Sequence, residues 1–162
     1  MMGKFDYKIV TLPAYRGVGL KWNGAYAEVS SLNELITEMK DRVGELEGAV
    51  NTDLQLGLYY HLRPDGITHY SVYEVKGTQQ VPEGMVEINI PELTYLMTHH
   101  EQGRDIGETY TNIYEWFKEN DYKPYIDERK YFDDLPIKHE RYPAGRNLID
   151  PHFDILIPIE KI

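Results

Sequence analysis

The chain writes one pattern twice. Residues 7–20 read Tyr-Lys-Ile-Val-Thr-Leu-Pro-Ala-Tyr-Arg-Gly-Val-Gly-Leu, and residues 85–98 read Met-Val-Glu-Ile-Asn-Ile-Pro-Glu-Leu-Thr-Tyr-Leu-Met-Thr. Pro13 and Pro91 occupy matching places 78 positions apart. Each segment is strand-like, and each carries a central proline, which has no amide hydrogen and so belongs at an edge, a bulge or a strand end. Each is followed by a helix-like stretch and then by further strands. A fold made of two such halves has a groove between them, and that groove is the first place to look for function.

In the first half, Phe5, Tyr7, Ile9 and Leu12 alternate in part, as in a strand. Leu32, Leu35, Ile36, Met39 and Val43 recur at helical spacing and predict a helix over about 31–47. Ser31 and Glu34 have the spacing of a capping box at its start, and Gly48 suits its end. Residues 54–60 form a short strand. Arg63-Pro64-Asp65-Gly66 makes a turn, and residues 69–75 alternate again. Pro82-Glu83-Gly84 is the strongest internal punctuation. The second half repeats the order: strand at 85–98, loop at 103–107, helix at 108–119, an irregular charged and aromatic stretch over 121–136, a short strand at 137–142 and a closing strand at 153–159. The expected fold is α+β: a duplicated strand-helix-strand-strand repeat, a mostly antiparallel sheet, two helices on one face and a groove between the repeats. With 162 residues a single domain over 1–162 is expected, with repeat one at about 5–80 and repeat two at about 83–162.

Composition removes several function classes. No apolar run approaches the ~20 residues of a membrane span, and the N-terminus lacks the apolar core of a signal peptide. There is no cysteine, hence no disulfide, thiolate metal site or thiol nucleophile, which fits a cytoplasmic protein. A formal net charge of −10 opposes direct binding to nucleic-acid phosphates and permits cationic partners. The six histidines show no metal-ligand spacing. His99 and His100 are adjacent, and on a strand they point to opposite sides. Gly17-Val18-Gly19 lacks the third glycine of a dinucleotide fingerprint, and no Ser-His-Asp motif occurs. No cofactor or metal is expected. The 14 tyrosines combine an apolar face with a polar tip, which suits aromatic or cationic ligands, although tyrosine is also an ordinary strand residue.

The order Gly57-Leu58-Tyr59-Tyr60, Tyr73-Glu74-Val75, Val81-Pro82-Glu83-Gly84-Met85, Ile90-Pro91, Thr98-His99-His100, Thr109-Tyr110, Ile113-Tyr114-Glu115-Trp116, Glu140-Arg141-Tyr142-Pro143 and Ile157-Pro158-Ile159 resembles the GyrI-like family. That family supplies effector-binding domains to AraC-type and MerR-type multidrug regulators. The resemblance implies a duplicated fold whose inter-repeat groove takes amphipathic or cationic small molecules. Some stand-alone members resemble inhibitors that bind DNA gyrase, and others are hydrolases of reactive lipophilic electrophiles that use a pocket glutamate and a tyrosine. By the Glu-x-Tyr-Pro pattern the pocket glutamate falls on Glu140, and the family's helix tryptophan falls on Trp116. The stretch between them is longer than the family pattern, with its excess in residues 127–134.

The resulting expectation is a stand-alone small-molecule-binding protein with Glu140 at the base of its groove. Tyr59, Tyr110, Tyr114, Trp116 and Tyr142 would line that groove, and Trp22 and Tyr26 would form its rim. Tyr110 and Tyr114 share a helix face, and Trp116 lies off it. If the chain is an enzyme, Glu140 and Tyr142 are the catalytic pair, the carboxylate acting as general base. The partners that follow from the resemblance are a small amphipathic or cationic molecule, DNA gyrase, or a separate DNA-binding regulator.

Overall fold

The computed structural model describes residues 6–162, so Phe5 and the start of the first repeat at residue 5 lie outside the described residues. Each of the two proline segments is not one strand but two. β1 (Lys8–Leu12) and β2 (Tyr15–Ala25) part at Pro13, and β5 (Val86–Ile90) and β6 (Leu93–His100) part at Pro91. Proline fixes φ and gives no N–H to a ladder, so the chain turns there. The pieces then cross between halves: Lys8–Leu12 pairs with Leu93–Met97, and Tyr15–Gly19 pairs with Val86–Ile90.

The remaining strands are β3 (Leu54–Tyr60), β4 (Gly66–Val75), β7 (Tyr122–Pro124), β8 (Ile137–Pro143) and β9 (Phe153–Lys161). They form a sheet in the order β1-β6-β9-β8-β3-β4-β2-β5, with β7 on β9. All the pairings are antiparallel. The order is the same read outward from the centre in either direction, once the halves are exchanged. At the centre β3 runs against β8, with Gly57 directly opposite Glu140.

Two helices cover one face of this sheet. α1 (Val29–Asp41) seats Met39 and Leu35 against Val18, Leu20, Tyr73 and Val75, and α2 (Ile106–Glu119) seats Ile113 against Leu96, Ile155 and Ile157. That both lie on the same side follows from two neighbours. Gln55, opposite Tyr142, donates to the Ile36 carbonyl of α1 at 3.0 Å, and Glu140, two residues before Tyr142, accepts from Tyr110 of α2. The architecture is therefore α+β, as the repeated pattern implied.

Boundaries differ in instructive ways. α1 starts at Val29 and stops at Asp41, with Val43–Glu45 forming a separate 3₁₀ turn. Ser31 is not its cap. The Ser31 hydroxyl donates back to the Glu28 carbonyl at 2.9 Å and accepts from Trp22 Nε1 at 3.1 Å, while Glu28 itself accepts from the Ala25 amide. α2 starts earlier than the residue pattern indicates because Asp105 accepts from the Glu108 amide at 3.3 Å. The opposite face of the sheet carries its own core of Leu56, Leu58, Val72, Ile90 and Ile137, partly covered by Tyr125 and Tyr131 from the long stretch before β8.

One close approach fixes the first half. A Cβ on Gly19 would overlap the Ser71 carbonyl and lie 2.7 Å from Val72 Cα, both backbone atoms that cannot swing away. Gly19→Ala is therefore expected to lower stability by about 3 kcal/mol. Gly77→Ala, where nothing lies within 4 Å, should change it by less than about 0.5 kcal/mol. Urea midpoints of the two variants test the difference.

Candidate functional site

β8 alternates its side chains, so Lys138, Glu140 and Tyr142 face the helices while His139 and Arg141 face away. Glu140 is 7% exposed. Its two carboxylate oxygens accept from two phenols: Tyr142 on the same strand and Tyr110 on α2. Tyr59, which stands in β3 where Tyr142 stands in β8, brings its hydroxyl 3.4 Å from that of Tyr142. Four of the residues singled out in the sequence thus meet at one point. Room for them comes from Gly57, since a Cβ there would lie 2.9 Å from the Tyr142 ring and 3.2 Å from His69.

The carboxyl group is held above its ordinary 4.5. Burial is the largest cause, and the Tyr110 and Tyr142 hydroxyls and the charge of Lys138 oppose it. The phenols of Tyr59, Tyr110 and Tyr142 are all pushed up, first by burial and then by the neighbouring carboxylate. The cluster is a proton-retaining knot of one acid and three phenols.

A second group of residues flanks it on the side of Lys138. Lys138 Nζ lies 5.3 Å from the Tyr110 ring centre, 3.0 Å from His61 Nε2 and 3.7 Å from Asp133. Tyr26 meets His61 Nδ1 at 2.9 Å, and Tyr114 donates to Asp133 at 3.2 Å. Burial, followed by the Lys138 charge, lowers His61 to about 4, so it is a neutral acceptor beside the ammonium. Tyr26 is 48% exposed and marks the outer edge. On the other side Arg146 lies 4.9 Å from the Tyr142 ring centre and donates to Gln55 at 2.7 Å.

Trp116 and Trp22 are elsewhere. Trp116 sits with Tyr7, Phe117 and Tyr122 on the far side of α2, one helix face away from Tyr110 and Tyr114. Trp22 bonds to Ser31 in the first turn of α1 and covers Gly24. His99 and His100 diverge as a strand requires: His99 binds Asp154, and His100 meets Thr109 of α2. Among the described residues, no three His, Cys, Asp or Glu side chains converge to hold a metal ion.

Sequence reasoning passed over Lys138, His61, Asp133 and His69. His69 is fully buried beside Tyr59, with ring centres 4.4 Å apart, and neither of its ring nitrogens has a hydrogen-bond partner among the described residues. Burial lowers it to about 3, so it stays neutral. The alternation of residues 69–75 placed His69 on a strand but not its side. Lys138 had a legible signal, because it lies two residues before Glu140 in a strand and must share its face.

The model of the GyrI-like small molecule binding domain matches residues 5–160. The transcriptional regulator BrlR of Pseudomonas aeruginosa is 30% identical over 109 residues, which cover 66% of this chain and 40% of that regulator. The chain thus spans less than half the length of that curated relative. Among solved structures, the EcmrR C-terminal domain superposes with a TM-score of 0.68 at 14% identity, covering 98% of this chain and 99% of the other. SAV2435 bound to tetraphenylphosphonium superposes with a TM-score of 0.65 at 9% identity, covering 96% and 94%. At these identities the superpositions establish the fold. No helix among the described residues is long and apolar enough to cross a membrane.

The raised carboxyl value has a sign that can be tested. A group whose proton is held more tightly in the folded state stabilises below its unfolded value, and that contribution is lost as pH rises through the folded value. The stability of the wild type relative to Glu140→Gln should therefore fall as pH climbs above about 4.5, by at most about 1.4 kcal/mol per pH unit. Paired urea titrations across pH 4 to 8 measure this, and a difference that rises with pH contradicts the assignment.

Proposed function

This chain belongs to the GyrI-like small molecule binding domain family, and from that premise we propose that it captures amphipathic or aromatic cations between its two helices, with Glu140 as the counter-charge. The observation that carries the reading is a buried carboxylate enclosed by Tyr59, Tyr110 and Tyr142. Aromatic faces attract a cation by their quadrupole, and a desolvated carboxylate attracts it by charge. Glu140 is sealed in the unliganded fold, so a ligand must displace the Tyr110 or Tyr142 hydroxyl to reach it. An aromatic cation compensates for that displacement by stacking on the same rings.

Lys138 sets the selectivity. Its ammonium is already drawn toward His61 and Asp133, yet its charge still acts on Glu140, so an incoming cation is repelled by it and competes with it for the carboxylate. Trp116 has no part in this reading, Trp22 at most borders it, and Tyr26 and Tyr114 guard the entrance. The protein would act in the cytoplasm as the sensing part of a drug-responsive system, alongside a separate DNA-binding regulator.

A second reading is favoured by one detail. A carboxylate with a raised proton affinity next to the Tyr142 hydroxyl is arranged as a general base with an orienting phenol, which is what hydrolysis of a reactive electrophile needs. Turnover across a panel of strained lipophilic electrophiles, lost in Glu140→Gln, is its expected signature. Stoichiometric capture without turnover leaves the binding reading alone.

Calorimetry with tetraphenylphosphonium tests the main reading. Glu140→Gln should weaken binding at least 10-fold, equivalent to about 1.4 kcal/mol. Lys138→Met should tighten it several-fold. Affinity should rise with pH as Glu140 ionises. Equal affinity for the wild type and Glu140→Gln would remove the carboxylate from the site.

A further inference from the structure

The helix-free face of the sheet holds a second hollow, and we propose that it is a separate site for a neutral, single-ring aromatic molecule carrying one hydrogen-bond acceptor. It has a volume of about 150 Å³ and lies beneath the Pro13 turn, against β3 and β8. Leu12, Leu54, Leu56, Leu58 and Leu156 line it with the Tyr15 and Tyr95 rings, and Asn51 and Glu140 add polar groups to the wall. A space of that size lined by aliphatic groups accommodates a benzene ring.

The repeat supplies a comparison within the same molecule. Leu12, Pro13 and Tyr15 correspond, 78 positions on, to Ile90, Pro91 and Leu93. Those three also roof a hollow, on the other side of the central strand pair. There the long stretch before β8 contributes Asp127, Glu128 and Arg129 to the wall, and the Arg129 guanidinium stacks 5.1 Å from the Tyr60 ring centre. The hollow beneath Pro91 is thus walled by charge from its own chain. The hollow beneath Pro13 keeps its leucines and has no such insert.

Arg141 adds a cation to the wall of the aliphatic hollow. It lines the hollow, and its Nη2 is held 3.0 Å from Asp154. Its Nε–H is buried and has no hydrogen-bond partner among the described residues. A buried donor without an acceptor is unfavourable, and a ligand carbonyl or ether oxygen satisfies it once a small shift of the Arg141 side chain brings the Nε–H into the hollow. The guanidinium charge is already balanced by Asp154, and Glu74 also lines the hollow. An anion would be repelled by these carboxylates, and a cation would meet the guanidinium, so a neutral ring fits best. His139, the other inward residue of β8, is held neutral at about 3 by burial and meets the Tyr60 hydroxyl at 3.3 Å, which leaves Arg141 as the charged group on that strand face.

Glu140 also borders this hollow, but its carboxylate is turned to Tyr110 and Tyr142 on the helix side, while the neighbouring Arg141 side chain takes the opposite face. The two sites need not share ligands, and the proposal for the hollow does not depend on what the Glu140 cluster binds.

Methyl-resolved NMR of the leucine-labelled chain, titrated with acetophenone, toluene and benzoate, tests it. Acetophenone should give saturable shifts at Leu12, Leu56, Leu58 and Leu156, at least fivefold tighter than toluene, and benzoate should give none. Arg141→Lys removes the Nε donor and should bring acetophenone and toluene to equal affinity. Leu58→Phe fills the hollow and should abolish the acetophenone shifts. If that variant does not fold, Leu12→Phe, at the turn, is read instead. The shifts should persist with tetraphenylphosphonium present in excess. The proposal is overturned by absence of saturation up to the solubility limit, by shifts confined to residues around Tyr110 and Tyr142, by retained discrimination in Arg141→Lys, or by unchanged shifts in the folded cavity-filling variant.

Discussion

The pairing of β3 with β8 is the contact on which everything else rests. These two seven-residue strands meet along their whole length, with Gly57 opposite Glu140 at the centre. Among the described residues they form the one ladder between the halves at the middle of the sheet, and the crossed arms β1 and β5 close the same junction at its two outer ends. Because the strands are antiparallel and related by the repeat, residues on one face of β3 and β8 point together toward the gap between α1 and α2. The side chain at that centre is consequently delivered into a desolvated part of the helix-side face, where Glu140 is 7% exposed. That delivery, rather than any property of glutamate itself, is what holds Glu140 above its ordinary proton affinity.

The architecture was legible because its signals are local or periodic. The strand limits reproduce the 78-residue offset at both ends of each arm, from Lys8 and Val86 to Leu12 and Ile90. The helices follow from apolar spacing. What was not legible is what depends on distant partners. Proline marked a break in each segment, but nothing local says that the two pieces pair with the opposite half. Ser31 has the chemistry of a cap, yet Trp22 and Glu28 claim its hydroxyl. Glu140 was located through its resemblance to a family pattern, and its partners Tyr59, Tyr110 and Tyr142 through face and repeat arguments. Trp116 was singled out through the family pattern, while helical geometry already set it off the Tyr110 face, and its ring neighbours are Tyr7, Phe117 and Tyr122. His61 and Asp133 come from loops, where no period exists to say which way a side chain points.

The electrostatics of the site are a balance within the chain and not a bare negative hollow. Glu140 is countered by Lys138, and Lys138 is shared with Asp133 and the neutral His61. Arg146 lies over Tyr142 from the other side and is tied to Gln55. Burial lowers the proton affinity of both cations. A formal charge of −10 over the whole chain therefore says little about this site. Its charge is set by four residues within a few ångströms, in a place where screening by solvent is weak.

The asymmetry at the centre has a physical cause. In the repeat, the counterpart of Glu140 is Gly57, and the two face each other directly across the ladder. Two carboxylates in those places would have Cβ atoms about 5 Å apart in a dry interior, and each would drive the other toward its protonated form. Space forbids it as well, since even a Cβ at Gly57 presses on Tyr142 and His69. A duplicated fold that places one position of each repeat against the other can thus carry a functional group on one side only, and the opposite side must be emptied to admit it. The same principle reaches the far face of the sheet, where one of two matching hollows has taken up a charged segment and the other has kept its leucines. Duplication supplies two equivalent places, and the chemistry comes from making them unequal.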